Sequence, residues 1–166
     1  MLRLDQQFHT GFVVPDLPDA MEGFAAVFGD AWTPVEEVPL RLTGPDGPLR
    51  ATLRVAFSRA GPQRFELIEA VEGTIWQVPT LAGRGDTPVH HVGFWAEDLA
   101  AASAHLTAVG APLLYTVDDG SGDLSFFAYH RLSSGLIVEL VDARARRAFE
   151  HWFAGGPFPG SGERRT

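Results

Sequence analysis

A short motif occurs twice in this chain and divides it into two halves. His9-Thr10-Gly11-Phe12 returns as His91-Val92-Gly93-Phe94, so His-x-Gly-Phe recurs at a spacing of 91 − 9 = 82 residues. The same interval relates Asp16-Leu17 to Asp98-Leu99, and each pair opens a stretch with helical apolar spacing. Further on, Phe65-Glu66-Leu67-Ile68 resembles Val138-Glu139-Leu140-Val141, which sets Glu66 against Glu139. Two copies of one module are the economical explanation, and each copy contributes one histidine and one glutamate.

The order of elements supports this division. Phe8 to Val14 reads as a strand stopped by Pro15. Asp16 or Asp19 can cap a helix whose apolar face is Leu17, Met21, Phe24, Ala25 and Phe28, with Gly29 as its terminator. Trp32 to Leu42 is a weaker strand, interrupted by Pro34 and Pro39, and Thr43 to Pro48 is a loop by composition. Arg50 to Ser58 and Arg64 to Val71 form a hairpin around Ala60-Gly61-Pro62.

The second half repeats the plan. A strand over Val89 to Ala96 leads to a helix from Asp98 to about Val109, stopped by Gly110. Strands follow at Pro112 to Val117, Leu124 to His130 and Gly135 to Val141. The expected fold is therefore α+β, with two tandem βαβββ modules forming a curved mixed β-sheet around a cavity. Residues 1–72 are the first module, 73–87 an inter-module loop in which Trp76 is placed to cover something, and 88–142 the second module. Residues 143–166 hold an amphipathic helix carrying Phe149, Trp152 and Phe153, then a loose Pro/Gly/Ser-rich tail.

Charge and composition exclude several functions. With 21 acidic against 13 basic residues the net charge is −8, which repels phosphate backbones and argues against nucleic acid as a partner. No cysteine is present, so thiolate catalysis, disulfides and Cys-ligated metals are excluded, and any metal must use histidine and carboxylate. No apolar run is long enough to span a bilayer, so no membrane partner is expected. The N-terminus lacks a signal-peptide pattern, which makes the cytoplasm the expected location.

Residues two apart in a strand share a face. His9 therefore points with Gly11 and Val13, His91 with Gly93 and Trp95, Glu66 with Ile68, and Glu139 with Ile137 and Val141. If the modules curl around one cavity, four polar side chains meet in an apolar trough, where an uncompensated carboxylate costs several kcal/mol. A divalent ion removes that cost. Gly11 and Gly93 are expected to leave space beside it for a ligand, with Trp95, Ile68, Ile137 and Val141 lining the pocket. His90, one place out of register, is expected on the opposite face of the strand. The histidines without a repeat partner, His105, His130 and His151, are expected to be structural or solvent-exposed, with His130 the candidate exception because its strand borders the cavity.

Taken together, the tandem modules and the set His9, Glu66, His91, Glu139 resemble the vicinal oxygen chelate superfamily over about Phe8 to Asp142. That superfamily includes glyoxalase I, methylmalonyl-CoA epimerases, extradiol dioxygenases and the fosfomycin and bleomycin resistance proteins. The resemblance implies a glyoxalase-like fold and one divalent metal ion (zinc, cobalt, nickel, manganese or iron) on the four residues. It also implies a small carbonyl compound or thioester as substrate, and isomerase, epimerase or lyase chemistry. Polarising a carbonyl acidifies the neighbouring C–H, and Glu139 or Glu66 would act as the base.

The metal set resembles that of bacterial glyoxalase I, whereas Tyr129 to Leu140 looks more like the epimerases. Those epimerases carry Gln in place of Glu66, and a further acidic base where this chain has Leu53, Arg54 and Val55. Extradiol dioxygenases use two histidines and one glutamate, so a fourth ligand at Glu66 departs from their pattern. The remaining alternative is a metal-free small-molecule binding or resistance protein of the same fold. A homodimer is expected slightly ahead of a monomer, because tandem modules can pair within or between chains.

Overall fold

The computed structural model describes residues 2–29, 31–73, 75–76 and 89–159. Most of the inter-module loop and the end of the tail lie outside the described residues. Eight strands and three α-helices follow in the order β1 (Gln7–Val13), α1 (Leu17–Phe28), β2 (Glu36–Gly44), β3 (Gly47–Phe57), β4 (Arg64–Glu72), β5 (Val89–Ala96), α2 (Leu99–Ala108), β6 (Leu113–Val117), β7 (Ser125–Arg131), β8 (Ile137–Asp142) and α3 (Arg146–Phe153).

The repeated Asp-Leu pair is a repeated helix start. Asp16 accepts a hydrogen bond from the Asp19 amide and Asp98 one from the Ala101 amide, both at 2.9 Å, so each aspartate satisfies an orphan N–H of the first turn. At the other end of α1, Gly29 adopts φ +68° and its amide bonds back to Ala25, the left-handed cap that glycine takes without strain.

The strands close into a barrel in the order β1-β4-β3-β2-β6-β7-β8-β5. Each half supplies four consecutive staves, and the halves meet twice, antiparallel, at β1–β5 and β2–β6. Closure is thus completed within one chain. The β2–β6 seam is short, joining only Leu42 to Val117 and Thr43 to Thr116. Most of the outer edge of β2 is therefore unpaired toward β6, which accounts for Pro39 inside a strand: its missing N–H costs nothing on an open edge. The stretch expected as a loop over Thr43 to Pro48 is instead a tight hairpin, in which Gly47 at φ +108° lets β3 begin three residues earlier than its alternation suggests.

Helices α1 and α2 pack outside the barrel. Leu17 joins Val14 and Leu67 beneath α1, while Leu99 and Leu106 join Ala128 and Leu140 beneath α2. Helix α3 does something different. Phe149, Trp152 and Phe153 share one face at spacings of three and four, and they pack into the same cluster as the barrel interior, against Phe8, Phe57 and Trp95. The helix therefore plugs the barrel. Burial of Phe149 and Phe153 contributes about 1.5–3 kcal/mol apiece, enough to hold a two-turn helix that would not persist alone.

Candidate metal centre

The centre sits where the two modules meet. Across β4, β1, β5 and β8 the residues form two rows: Glu66, Gly11, His91 and Ile137 in one, and Arg64, His9, Gly93 and Glu139 in the other. In each row a glycine separates the glutamate of one module from the histidine of the other. Both side chains lean over that gap and meet. Glu66 Oε2 is 2.9 Å from His91 Nε2, and Glu139 Oε2 is 2.9 Å from His9 Nε2. The two Nε2 atoms are 2.8 Å apart, and the remaining His–Glu distances are 3.4 Å.

The glycines therefore serve a purpose other than the one expected from the sequence. A Cβ on Gly93 would fall 1.8 Å from Cε1 of His9, and one on Gly11 would fall 2.0 Å from Cε1 of His91. The space they leave is filled by the imidazole of the opposite module.

Donor geometry and chemistry fit a divalent ion. Ligand atoms about 2.1 Å from a central ion and at right angles to one another stand about 3.0 Å apart, and the separations here run from 2.8 to 3.4 Å. All four donors lie within 4.8 Å of one another. Glu66 Oε2 is buried yet makes no hydrogen bond of acceptable geometry, a situation that costs free energy unless something else is bound there. Two imidazoles and two carboxylates form a mixed N/O set that suits zinc, cobalt, nickel, manganese or iron.

Without an ion the four groups share protons. Burial pushes both imidazoles down, but the carboxylates of Glu66 and Glu139 override it, raising His9 and taking His91 to about 10. Burial likewise opposes ionisation of the two glutamates, and the imidazolium charges overcome it to hold both below their ordinary range.

A cavity of about 70 Å³ runs from the centre into the barrel. His9, Glu66 and Glu139 stand in its wall, and the remainder is almost wholly apolar, including Phe57, Ile68, Val141, Phe149 and Trp152. Of the expected pocket residues, Ile68 and Val141 line it. Gly11, Val13, Gly93, Trp95 and Ile137 do not stand in its wall: the glycines lie under the histidine rings, and Trp95 stacks on Phe8 with ring centroids 3.7 Å apart.

Two further aromatic residues surround the centre, of which the sequence singles out Trp76 and not Tyr129. Trp76, in the inter-module loop, is buried in the cavity wall and donates its indole N–H to the Tyr129 hydroxyl at 3.4 Å. Tyr129 pairs with Glu139 across β7–β8 and its hydroxyl hydrogen-bonds to that carboxylate. Burial, reinforced by the charges of Glu139 and Glu66, keeps the phenol protonated. At the matching place in the first module, Phe57 pairs with Glu66 and offers no such bond.

His130 faces away from the cavity. Its ring bridges Ser103 Oγ and the Ala111 carbonyl, both at 2.9 Å, and so ties β7 to α2. His90 is also misplaced by simple alternation. The β1–β5 register slips between Gly11↔His91 and Phe12↔Val89, so His90 is an extra residue on its strand. Such a bulge re-aims the side chain, and His90 Nδ1 lies 3.0 Å from His91 Nδ1 rather than on the far face. Burial and the charge on His91 hold His90 down at about 4, so it is neutral.

Comparison with known proteins agrees with this architecture. Residues 8–129 match the Glyoxalase/Bleomycin resistance protein/Dioxygenase superfamily. A 2-epi-5-epi-valiolone epimerase from Actinomyces sp is 30% identical over 154 residues, spanning 86% of this chain and 81% of that protein. Among solved structures, a methylmalonyl-CoA epimerase in complex with methylmalonyl-CoA and NH4+ superposes with a TM-score of 0.58 at 21% identity, over 86% of this chain and 95% of that one. The methylmalonyl-CoA epimerase of Mycobacterium tuberculosis gives 0.58 at 22% identity, over 86% and 92%. At such identities these structures speak to the fold alone. The repeat, the barrel and the family match lead to one conclusion: the chain belongs to the glyoxalase/bleomycin resistance protein/dioxygenase superfamily.

Proposed function

We propose that the chain is a metal-dependent epimerase or isomerase that moves a proton at the carbon beside a carbonyl group of a small organic substrate. The observation that carries this reading is the convergence of His9, Glu66, His91 and Glu139 on one point in the wall of an aromatic cavity. Those four residues would hold the ion, which supplies Lewis acidity toward a carbonyl oxygen. The chain's own groups account for the rest. Glu66 and Glu139 come from strands on opposite sides of the central β1–β5 pair, so a carboxylate is available on each side of a substrate placed between them. That arrangement suits inversion at carbon, because the proton can leave one face and return to the other without either base moving. The aromatic walls and α3 keep water from quenching the carbanion-like species formed between the two transfers.

The described cavity wall contains no arginine, which favours an uncharged carbonyl compound within it. The names of the relatives supply two probes. Zinc- or cobalt-loaded protein incubated in D2O with 2-epi-5-epi-valiolone, or with methylmalonyl-CoA, should incorporate deuterium at one carbon of the accepted compound, followed by NMR. The set should also hold about one equivalent of divalent metal, and His91→Ala should lose it. Wild-type protein that stays metal-free after incubation with zinc, cobalt, nickel, manganese and iron salts would sink the reading.

Metal uptake should depend on pH in a definite direction. In the metal-free protein the raised imidazoles stabilise the fold fully below about 6.5 and lose that contribution as pH rises, through about 10 for His91. The lowered carboxylates stabilise it above about 4.5 and lose that contribution as pH falls through their depressed values. A bound ion needs both Nε2 lone pairs, so binding near neutral pH expels protons, and apparent affinity should tighten about tenfold per pH unit for each proton released. Calorimetry in buffers of differing ionisation enthalpy reads this number directly. Heat independent of the buffer would mean that the imidazoles are already neutral.

A further inference from the structure

The two halves of the centre are equivalent in their ligands and unequal in what supports them. Residue 8 precedes His9 as residue 90 precedes His91, and 90 − 8 is again 82. Both are extra residues at slips in the β1–β5 register, the first between Gln7 and His9 and the second opposite Gly11 and Phe12. In the first module the bulged residue is Phe8, whose ring meets His9 edge-on at 4.3 Å and offers no acceptor. Nδ1 of His9 is accordingly buried with no hydrogen bond. In the second module the bulged residue is His90, and its Nδ1 lies 3.0 Å from Nδ1 of His91.

From this geometry we propose that His90 is a positioning residue for His91. Two ring nitrogens 3.0 Å apart hold one hydrogen between them. A His91 ring that ligates an ion through Nε2 carries its hydrogen on Nδ1, which makes Nδ1 of His90 the acceptor of that bond. The hydrogen of the His90 ring is then on its Nε2, and its Nδ1 lone pair accepts the hydrogen on Nδ1 of His91. That leaves the Nε2 lone pair of His91 turned toward His9, Glu66 and Glu139, in the tautomer a metal ligand needs. On the side away from the centre, His91 thus meets a hydrogen-bond acceptor, whereas His9 meets the aromatic rings of Phe8 and Phe57. This role rests on the metal-centre reading, and the test separates the two.

The substitution to make is His90→Phe, which gives the second module the residue the first already carries. Zinc affinity, measured by competition with a chromophoric chelator, should weaken by about 10- to 100-fold. His90→Asn, which keeps an acceptor near the position of Nδ1, should retain most of the wild-type affinity. In zinc-loaded wild-type protein, 15N-edited spectra should show a solvent-protected hydrogen on Nδ1 of His91, lost to rapid exchange in His90→Phe. Wild-type protein that binds none of zinc, cobalt, nickel, manganese and iron overturns the metal centre and this role with it. Zinc binding of equal strength in wild type and His90→Phe overturns the role alone. So does a His91 ring that carries its hydrogen on Nε2, or an affinity loss in His90→Phe that His90→Asn shares in full.

Discussion

Glu139→Gln and Glu66→Gln should each lower epimerisation by about 10²–10⁴-fold, the range supplied by a positioned acid or base, yet leave one half-reaction running. A substrate standing between two carboxylates loses its proton to one and regains it from the other. Removing either leaves the survivor able to exchange hydrogen with solvent from the epimer whose C–H points toward it. Each variant should therefore wash deuterium into one epimer without inverting it, and the two variants should act on opposite epimers. An amide oxygen can still approach the ion, so metal content and substrate affinity should fall far less than turnover. Turnover equal to wild type in Glu139→Gln would remove that residue from proton transfer, and loss of exchange from both epimers in one variant would replace the two-carboxylate arrangement with a single base.

Gly93→Ala should be nearly as damaging although no ligand is changed. The new methyl would stand 1.8 Å from Cε1 and 2.3 Å from Nδ1 of His9, with the ring lying across the glycine rather than touching it with a flexible end. Phe8 and Phe57 crowd that imidazole edge-on, so it can retreat only by leaving its place in the centre. Either the ring swings out of the centre or β5 is pushed off β1, and overpacking of this kind costs about 1–3 kcal/mol. The expected result is a lower melting temperature together with less than one equivalent of bound metal. A variant that melts like wild type and binds metal stoichiometrically would show that the two strands are not held at this separation.

Much of the frame is legible in the sequence because it depends on local pattern repeated at a fixed interval. The Asp-Leu pairs start α1 and α2, Gly29 ends α1, and β5 spans Val89–Ala96 as its sequence suggests. The four polar residues of the centre can be picked out because alternation along each strand and the 82-residue match agree on them. Alternation is a poorer guide wherever the ladder slips. It puts His90 on the wrong face for that reason, since a bulge adds one residue and reverses the parity of the strand beyond it. Tyr129 gives no sign of its role, because an aromatic residue in a strand carries no mark of the carboxylate beside it on the neighbouring strand. His130 looks like a cavity residue from its strand alone, and only the packing of α2 shows that it faces Ser103.

By itself, then, the amino-acid sequence determined that there are two modules, which elements each contains, and which two histidines and two glutamates correspond. These features arise from short-range preferences, and a repeat doubles their weight. Tertiary structure alone decided how the halves use one another. The glycines of the His-x-Gly-Phe motif lie beneath the opposite module's imidazole, α3 closes the barrel from beyond the second module, and His90 turns toward His91. Each depends on the register of β1 against β5 or on packing between distant segments, and no periodicity within a single strand or helix encodes that.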